Sequence, residues 1–152
     1  MDLTRYEASF AELDTATLYA LLKLRTDVFV VEQACPYPEL DGRDAEPDTR
    51  HLWFAPPNQP SRPCAYLRIL NEDPVLRIGR VCTAVEARGQ GLQARLLAAA
   101  LQERPDAIYE LAAQSYLTGF YARFGFQVSG EEFVEDGIPH TPMIRKPQGT
   151  HP

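Results

Sequence analysis

The sequence predicts an α/β (α+β) domain: a mixed, mostly antiparallel twisted sheet of about six to seven strands, helices on both faces and a central parallel strand pair. Three observations carry this. Strand-like apolar segments separated by turn residues fill most of the first half. From Val75 the pattern changes to strand, helix, strand, helix and two strands. A helix between two neighbouring strands is a crossover, and crossovers join parallel strands. Finally, 152 residues with no internal repeat and no linker suit one hydrophobic core.

Taken in order, residues 3–10 alternate loosely and read as a first strand. Asp14 or Thr15 can cap a helix whose apolar face carries Leu18, Leu21, Leu22 and Val28. Val28 to Gln33 fits strand or helix equally well by pattern. Cys35-Pro36-Tyr37-Pro38 stops regular structure, and a polar loop holding Glu39, Asp41, Arg43, Asp44, Glu46 and Asp48 runs to Thr49. A loop of that length is often functional. His51 to Ala55 and Cys64 to Leu70 form a hairpin across Pro56-Pro57-Asn58-Gln59-Pro60, and Val75 to Thr83 is the next strand. A helix over 91–103 places Leu92, Leu96, Leu97 and Ala100 on one face, and Pro105 follows it. Ile108 to Ala113 is a strand, and Ser115 to Phe124 a short helix closed by Gly125. Phe126 to Phe133 and Ile138 to Arg145 are two last strands around Asp136-Gly137. Residues 1–147 read as a single domain and 148–152 as a frayed, disordered tail.

Composition excludes several classes. A net charge of −6 argues against nucleic acid as a partner, because phosphate binding needs a basic face. No run approaches a membrane span and the first residues lack a signal-peptide pattern, so a cytoplasmic protein with no membrane partner is expected. Cys35, Cys64 and Cys82 are odd in number and widely spaced, with no CxxC or Cys/His spacing, so no metal is expected.

The chemically informative stretch lies between the strand ending at Val85 and the helix at 91–103, where Arg88-Gly89-Gln90-Gly91 intervenes. A helix N-terminus presents unpaired N–H groups and partial positive charge. Glycines let backbone approach a ligand closely, and arginine adds charge-assisted hydrogen bonds. Together they form a pyrophosphate cradle, although a plain turn uses the same residues. GxxxxGK[ST] is absent, and a dinucleotide fingerprint would need three glycines near a first strand.

Arg88-Gly89-Gln90-Gly91-Leu92 instead resembles the acetyl-CoA loop of the GNAT N-acetyltransferase superfamily, Arg/Gln-x-x-Gly-x-Gly/Ala, with Gln93 where Gly or Ala is usual. Phe120-Tyr121-Ala122-Arg123-Phe124-Gly125-Phe126 resembles the superfamily's Tyr-x-x-x-Gly-Phe block. Three further blocks resemble its ElaA-type branch. They are Leu24 to Gln33 with Cys35-Pro36-Tyr37 and Glu39 to Asp44, then Asp48 to Leu52, then Glu135 to His140. The resemblance covers almost the whole chain and implies a GNAT fold.

It further implies direct attack of an amine on the thioester of acetyl-CoA, the co-substrate. Pyrophosphate contacts fall to Arg88, Gly89, Gln90, Gly91, Leu92 and Gln93, and the backbone N–H groups of Val81, Cys82 and Thr83 would polarise the thioester carbonyl. Tyr121 is the candidate acid toward the CoA sulfur, or else a core aromatic. An amine of pKa ~10.4 is almost wholly protonated at neutral pH, so a base helps. His140 and Glu32 are the candidates, since imidazole titrates between about pH 5 and 8 and a carboxylate could bind or deprotonate a cation. Arg25, Gln33, His51 and Gln114 are candidates for binding the acceptor, a small molecule or a protein amino group. Asp41, Asp44 and Asp48 lack a calcium-loop pattern and are expected to be solvated or hydrogen-bonded in the loop. The alternatives are a non-catalytic acyl-CoA-binding or sensing module and, less well supported, a redox protein using Cys35 or Cys82. The segment from Phe29 to Leu40 and the last strand could present a homodimer face.

Overall fold

A computed structural model describes residues 2–147; the expected tail at 148–152 lies outside them. The first half contains β1 (Thr4–Ala8), α1 (Thr15–Thr26), a π-helical turn (Asp27–Glu32), a long loop, β2 (Arg50–Ala55), β3 (Ala65–Glu72) and β4 (Val75–Thr83). The second half contains α2 (Leu92–Glu103), β5 (Ile108–Gln114), α3 (Thr118–Ala122), β6 (Gln127–Val128), β7 (Phe133–Glu135) and β8 (Ile138–Arg145). All eight strands join one sheet in the order β1-β2-β3-β4-β5-β8-β6, with β7 also on β8. Among the described residues only β4 and β5 pair in parallel, as the crossover through α2 requires.

Asp14 is the cap of α1: its carboxylate accepts from the Thr17 N–H at 2.7 Å. The helix buries Thr17, Leu21, Leu24 and Arg25. The expected stripe through Leu22 is thus rotated toward Leu24 and Arg25. The ambiguous segment after it resolves as one π-helical turn, a feature frequent at functional sites. α2 buries Leu92, Leu96, Leu97, Ala100 and Leu101. Its Arg95 guanidinium lies 4.9 Å from the centre of the Phe54 ring, whereas Arg25 of α1 stacks on Tyr66. Phe54 and Tyr66 alternate across the sheet, since Phe54 pairs with Ala65 and Tyr66 with Trp53. The two helices therefore cover opposite faces.

Two expectations need correction. The helix expected over 115–124 is a 3-10 turn (Ser115–Leu117) followed by a five-residue α3, closed by Gly125 at φ 91°. The strand expected from Phe126 to Phe133 is broken into β6 and β7, which raises the count to eight. The break lies opposite Pro142, which has no N–H to continue the ladder and whose carbonyl accepts from the Ser129 N–H at 2.9 Å. Gly130 crosses so close to the Pro142 ring that a Cβ there would stand 2.9 Å from its Cγ.

Candidate active site

The parallel pairing of β4 and β5 lasts three residues, Val75 to Arg77 against Ile108 to Glu110. At its last rung Arg77 Nη2 bonds Glu110 Oε2 at 2.9 Å. Beyond that point the strands part. On its β3 side β4 carries one extra residue, since Arg68 pairs with Gly79 but Tyr66 with Cys82. Arg80, inside this bulge, sits at φ 52°, a conformation rare for a side-chain-bearing residue. From Ile78 onward β4 has no strand partner on its β5 side. The backbone of Val81, Cys82 and Thr83 thus borders a wedge whose other wall is Leu111, Ala112 and Gln114. A cavity of about 660 Å3 fills it.

At one end stands the glycine loop. Gly89 and Gly91 adopt φ 81° and 70°, Gly91 is the N-cap of α2, and no side chain caps that helix. A Cβ on either glycine would meet nothing within 4 Å, so the space over the loop is open. Free N–H groups, helix dipole and open space fit a phosphate group. Leu92, however, is buried in the core, so only its backbone could serve a ligand. Gln93 points under the strand: its Nε2 donates to the carbonyls of Tyr66 at 3.2 Å and Cys82 at 2.6 Å, while its buried Oε1 has no partner.

Arg88 and Glu32 meet. Arg88 Nη1 and Nη2 donate to the two Glu32 oxygens at 2.6 Å each, and Arg88 Nε donates to the Thr83 carbonyl at 3.0 Å. The hydrogen bonds and charge of Arg88 hold the Glu32 carboxyl below the usual carboxylate range, which makes it a poor base as it stands.

Tyr121 lines the cavity with its ring clamped edge-on by Phe120 and Phe126. Burial pushes its hydroxyl up to about 12, so it holds its proton at neutral pH. His140 and Gln114 face each other across β5 and β8, and both line the cavity. His140 Nδ1 lies 2.8 Å from the Ile138 carbonyl, an acceptor only, so Nδ1 is the donor there and Nε2 is the nitrogen left without that partner. Phe133 stacks on the imidazole. Gln33 also borders the cavity, beside Cys35 and Tyr37.

Arg25 and His51 are not in the cavity. Arg25 is 1% exposed; its Nε donates to Glu39 at 2.7 Å and its Nη1 to Asp44 at 2.7 Å. Arg68 bonds Asp41 and Asp44, and Arg80 bonds Asp41 and the Glu39 carbonyl. His51 Nε2 faces the Asp44 carbonyl at 3.1 Å, and its Nδ1 accepts a hydrogen bond from the Tyr66 hydroxyl at 2.7 Å. Burial lowers the His51 pKa and keeps the ring neutral. The polar loop is thus nailed to α1 and the sheet by alternating arginines and acids. Asp41 is bonded within the loop as expected, accepting from the Arg43 N–H at 3.0 Å, and is also ion-paired to Arg68, whereas Asp44 is ion-paired to Arg25 and Arg68. Asp48 receives only a 3.4 Å contact from Asn71.

Sequence reasoning missed the far end of the cavity. Arg68, Arg77 and Arg80 line it, and each is engaged by carboxylates. Glu135 and Asp136 also line it and form no ion pair among the described residues. They belong to the β7–β8 turn, where Asp136 and Gly137 take φ 52° and 79°, and Cys35 Sγ lies 3.4 Å from the Asp136 carbonyl. The Asp-Gly dipeptide marked the turn but not the surface it would face. All three cysteines are free thiols, and burial pushes Cys82 up to about 12, unsuited to a nucleophile.

A model of the acetyltransferase (GNAT) domain matches residues 28–147. The chain belongs to the GNAT acetyltransferase family. A UPF0039 protein of Mycobacterium tuberculosis is 53% identical over 142 residues, 91% of this chain and 90% of that protein. Protein ElaA of Escherichia coli is 41% identical over 145 residues, 90% and 92% of the two chains. Its crystal structure superposes with a TM-score of 0.87 over 95% of this chain and 100% of that one. An acyl-CoA N-acyltransferase structure from Pseudomonas aeruginosa superposes at 0.89 with 42% identity, covering 95% and 99%. The GNAT resemblance and its ElaA-type branch therefore hold at the level of family and fold. Among the described residues of this GNAT chain no cluster of metal-ligating side chains occurs, and no helix is long and apolar enough to cross a membrane.

Proposed function

We propose that this protein transfers an acetyl group from acetyl-CoA to a primary amine that is cationic in solution. The observation that carries the reading is the wedge itself. Val81 to Thr83 of β4, Arg88 and Gln93 on either side of the uncapped N-terminus of α2, and Tyr121 all border one cavity. The N–H groups at the start of α2 would hold the pyrophosphate, and β4 backbone beyond the bulge would polarise the thioester carbonyl. The neutral amine forms the C–N bond as the C–S bond breaks. His140 Nε2 would take the amine proton, directly or through water, and Tyr121 would give one to the departing thiolate. The unpaired carboxylates of Glu135 and Asp136 favour a positively charged acceptor.

Calorimetric titration with acetyl-CoA and CoA tests the donor half, with Gly91→Asp as control. An aspartate there puts a side chain at positive φ and negative charge on the helix N-terminus. Wild-type binding lost in a folded variant supports the loop assignment; equal affinity in the variant refutes it. Thiol release across a panel of cationic and neutral amines then tests turnover, and binding without release would mark an acyl-CoA-binding module.

A further inference from the structure

We infer that Glu32 links the two halves of the reaction: it holds Arg88 in the free protein, yields it to the donor's pyrophosphate and then receives the acceptor's ammonium group. This rests on the acyl-CoA reading above.

A guanidinium offers a carboxylate or phosphate two paired faces, one through Nη1 and Nη2 and one through Nε and an Nη. Here the first is filled by both oxygens of Glu32, and the second has its Nε on the Thr83 carbonyl. No paired face is left for a phosphate unless Arg88 releases one of these partners. A dianionic pyrophosphate arriving at the loop would also meet the Glu32 charge. Exchange of one anion for the other removes both problems.

The pair is built to exchange. Its side chains are 40% and 42% exposed, where water screens the attraction and an ion pair contributes little. The other arginines of the cavity wall are held by more than one carboxylate each: Arg68 by Asp41 and Asp44, Arg77 by Glu72 and Glu110. Among the described residues Arg88 has a single acidic partner, and it is the arginine of the phosphate loop.

The position of Glu32 says where the freed carboxylate goes. It ends the π-helical turn that carries Phe29, and Gln33 and Cys35 follow it along the cavity wall. Released from Arg88, it remains over that wall, with Glu135 and Asp136 contributed by the β7–β8 turn. The negative field for a cationic acceptor is complete only after the donor has bound, which gives an ordered reaction, donor first.

The test compares wild type with Glu32→Gln and Glu32→Ala by titration with CoA and with pantetheine, which lacks the pyrophosphate. Both substitutions are on an exposed side chain, and equal melting temperatures confirm the fold. CoA should bind roughly two- to tenfold tighter to both variants, as expected for removing a competing exposed ion pair, and pantetheine should be unchanged. The KM of a cationic amine should rise while that of a neutral amine stays constant. Wild type that binds CoA, with variants that bind it no tighter, overturns the exchange and leaves the acyl-CoA reading standing. Tightening shared by pantetheine overturns it as well. An unaltered KM for the cationic amine overturns the acceptor half. Wild type that does not bind CoA overturns the acyl-CoA reading and this inference with it.

Discussion

Gln93 Nε2 donates to the Cys82 carbonyl at 2.6 Å, so the first turn of α2 is fastened to the strand that forms one wall of the wedge. Where the family pattern has Gly or Ala, this chain has a cross-brace. Gln93→Ala should remove it and leave two carbonyls without their donor. The expected cost is about 1 kcal/mol in chemical denaturation, because the orphaned Oε1 is removed too. The rate of acetyl transfer should fall as β4 shifts. Unchanged stability and unchanged kcat would show the brace to be incidental.

Tyr121→Phe keeps the ring in its aromatic clamp and deletes only the hydroxyl. General acid catalysis contributes roughly 10²–10⁴-fold, and a thiolate is a good leaving group, so a fall in kcat near the lower end is expected. The measurement is single-turnover thiol release, where chemistry limits the rate. An unaltered rate rules out the acid role.

Arg25→Met separates structure from acceptor binding. It leaves the buried Glu39 and Asp44 carboxylates short of a cation, and breaking a buried pair costs about 3–5 kcal/mol. Urea denaturation should show a loss of that order. The KM for the amine, measured on the folded fraction at low temperature, should remain near wild type. A selective rise in KM with little loss of stability would return Arg25 to the acceptor site.

Stability should fall in two stages on acidification. His51 is buried and its folded pKa lies below the ordinary histidine value. The unfolded chain therefore binds its proton first, and the stability it contributes above about pH 6.5 is lost as pH falls toward the lower folded value. Burial works to raise Asp41 and Asp44, but the hydrogen bonds and charges of Arg68 and Arg25 outweigh it and hold both below the usual range. Their contribution is present above about pH 4 and is lost below it, as pH descends through the folded values. Melting temperature against pH in wild type and His51→Gln should show the first stage only in wild type. Identical profiles would mean that His51 does not titrate in this way.

Much of this was legible in the residues because local pattern and tertiary context agree. Asp14 caps α1, Gly125 closes α3, and the crossover through α2 fixes the parallel pair. Two kinds of information were not legible. Ion pairing is decided in space: nothing in the spacing of Glu32 and Arg88, 56 residues apart, announced that two candidate site residues occupy one another. Burial of charge was the other. Arg25 and His51 read as polar and available, yet each sits at a few per cent exposure or less, Arg25 held by acids of the loop and His51 between the loop and Tyr66 of β3. The β6–β7 break was hidden for a similar reason, since the proline responsible lies on the partner strand.

The three-rung seam between β4 and β5 has a mechanical meaning. It divides the sheet into two leaves, β1–β4 and β5–β8, joined along the backbone only by Val75 to Arg77 against Ile108 to Glu110 and riveted at the last rung by Arg77 and Glu110. With so short a seam, a molecule lodged between the leaves would act as a spreader that fixes the angle about that rivet. Stiffness of the whole sheet is then a property of the loaded protein, so amide exchange along β5 and β8 should slow together once the wedge is filled.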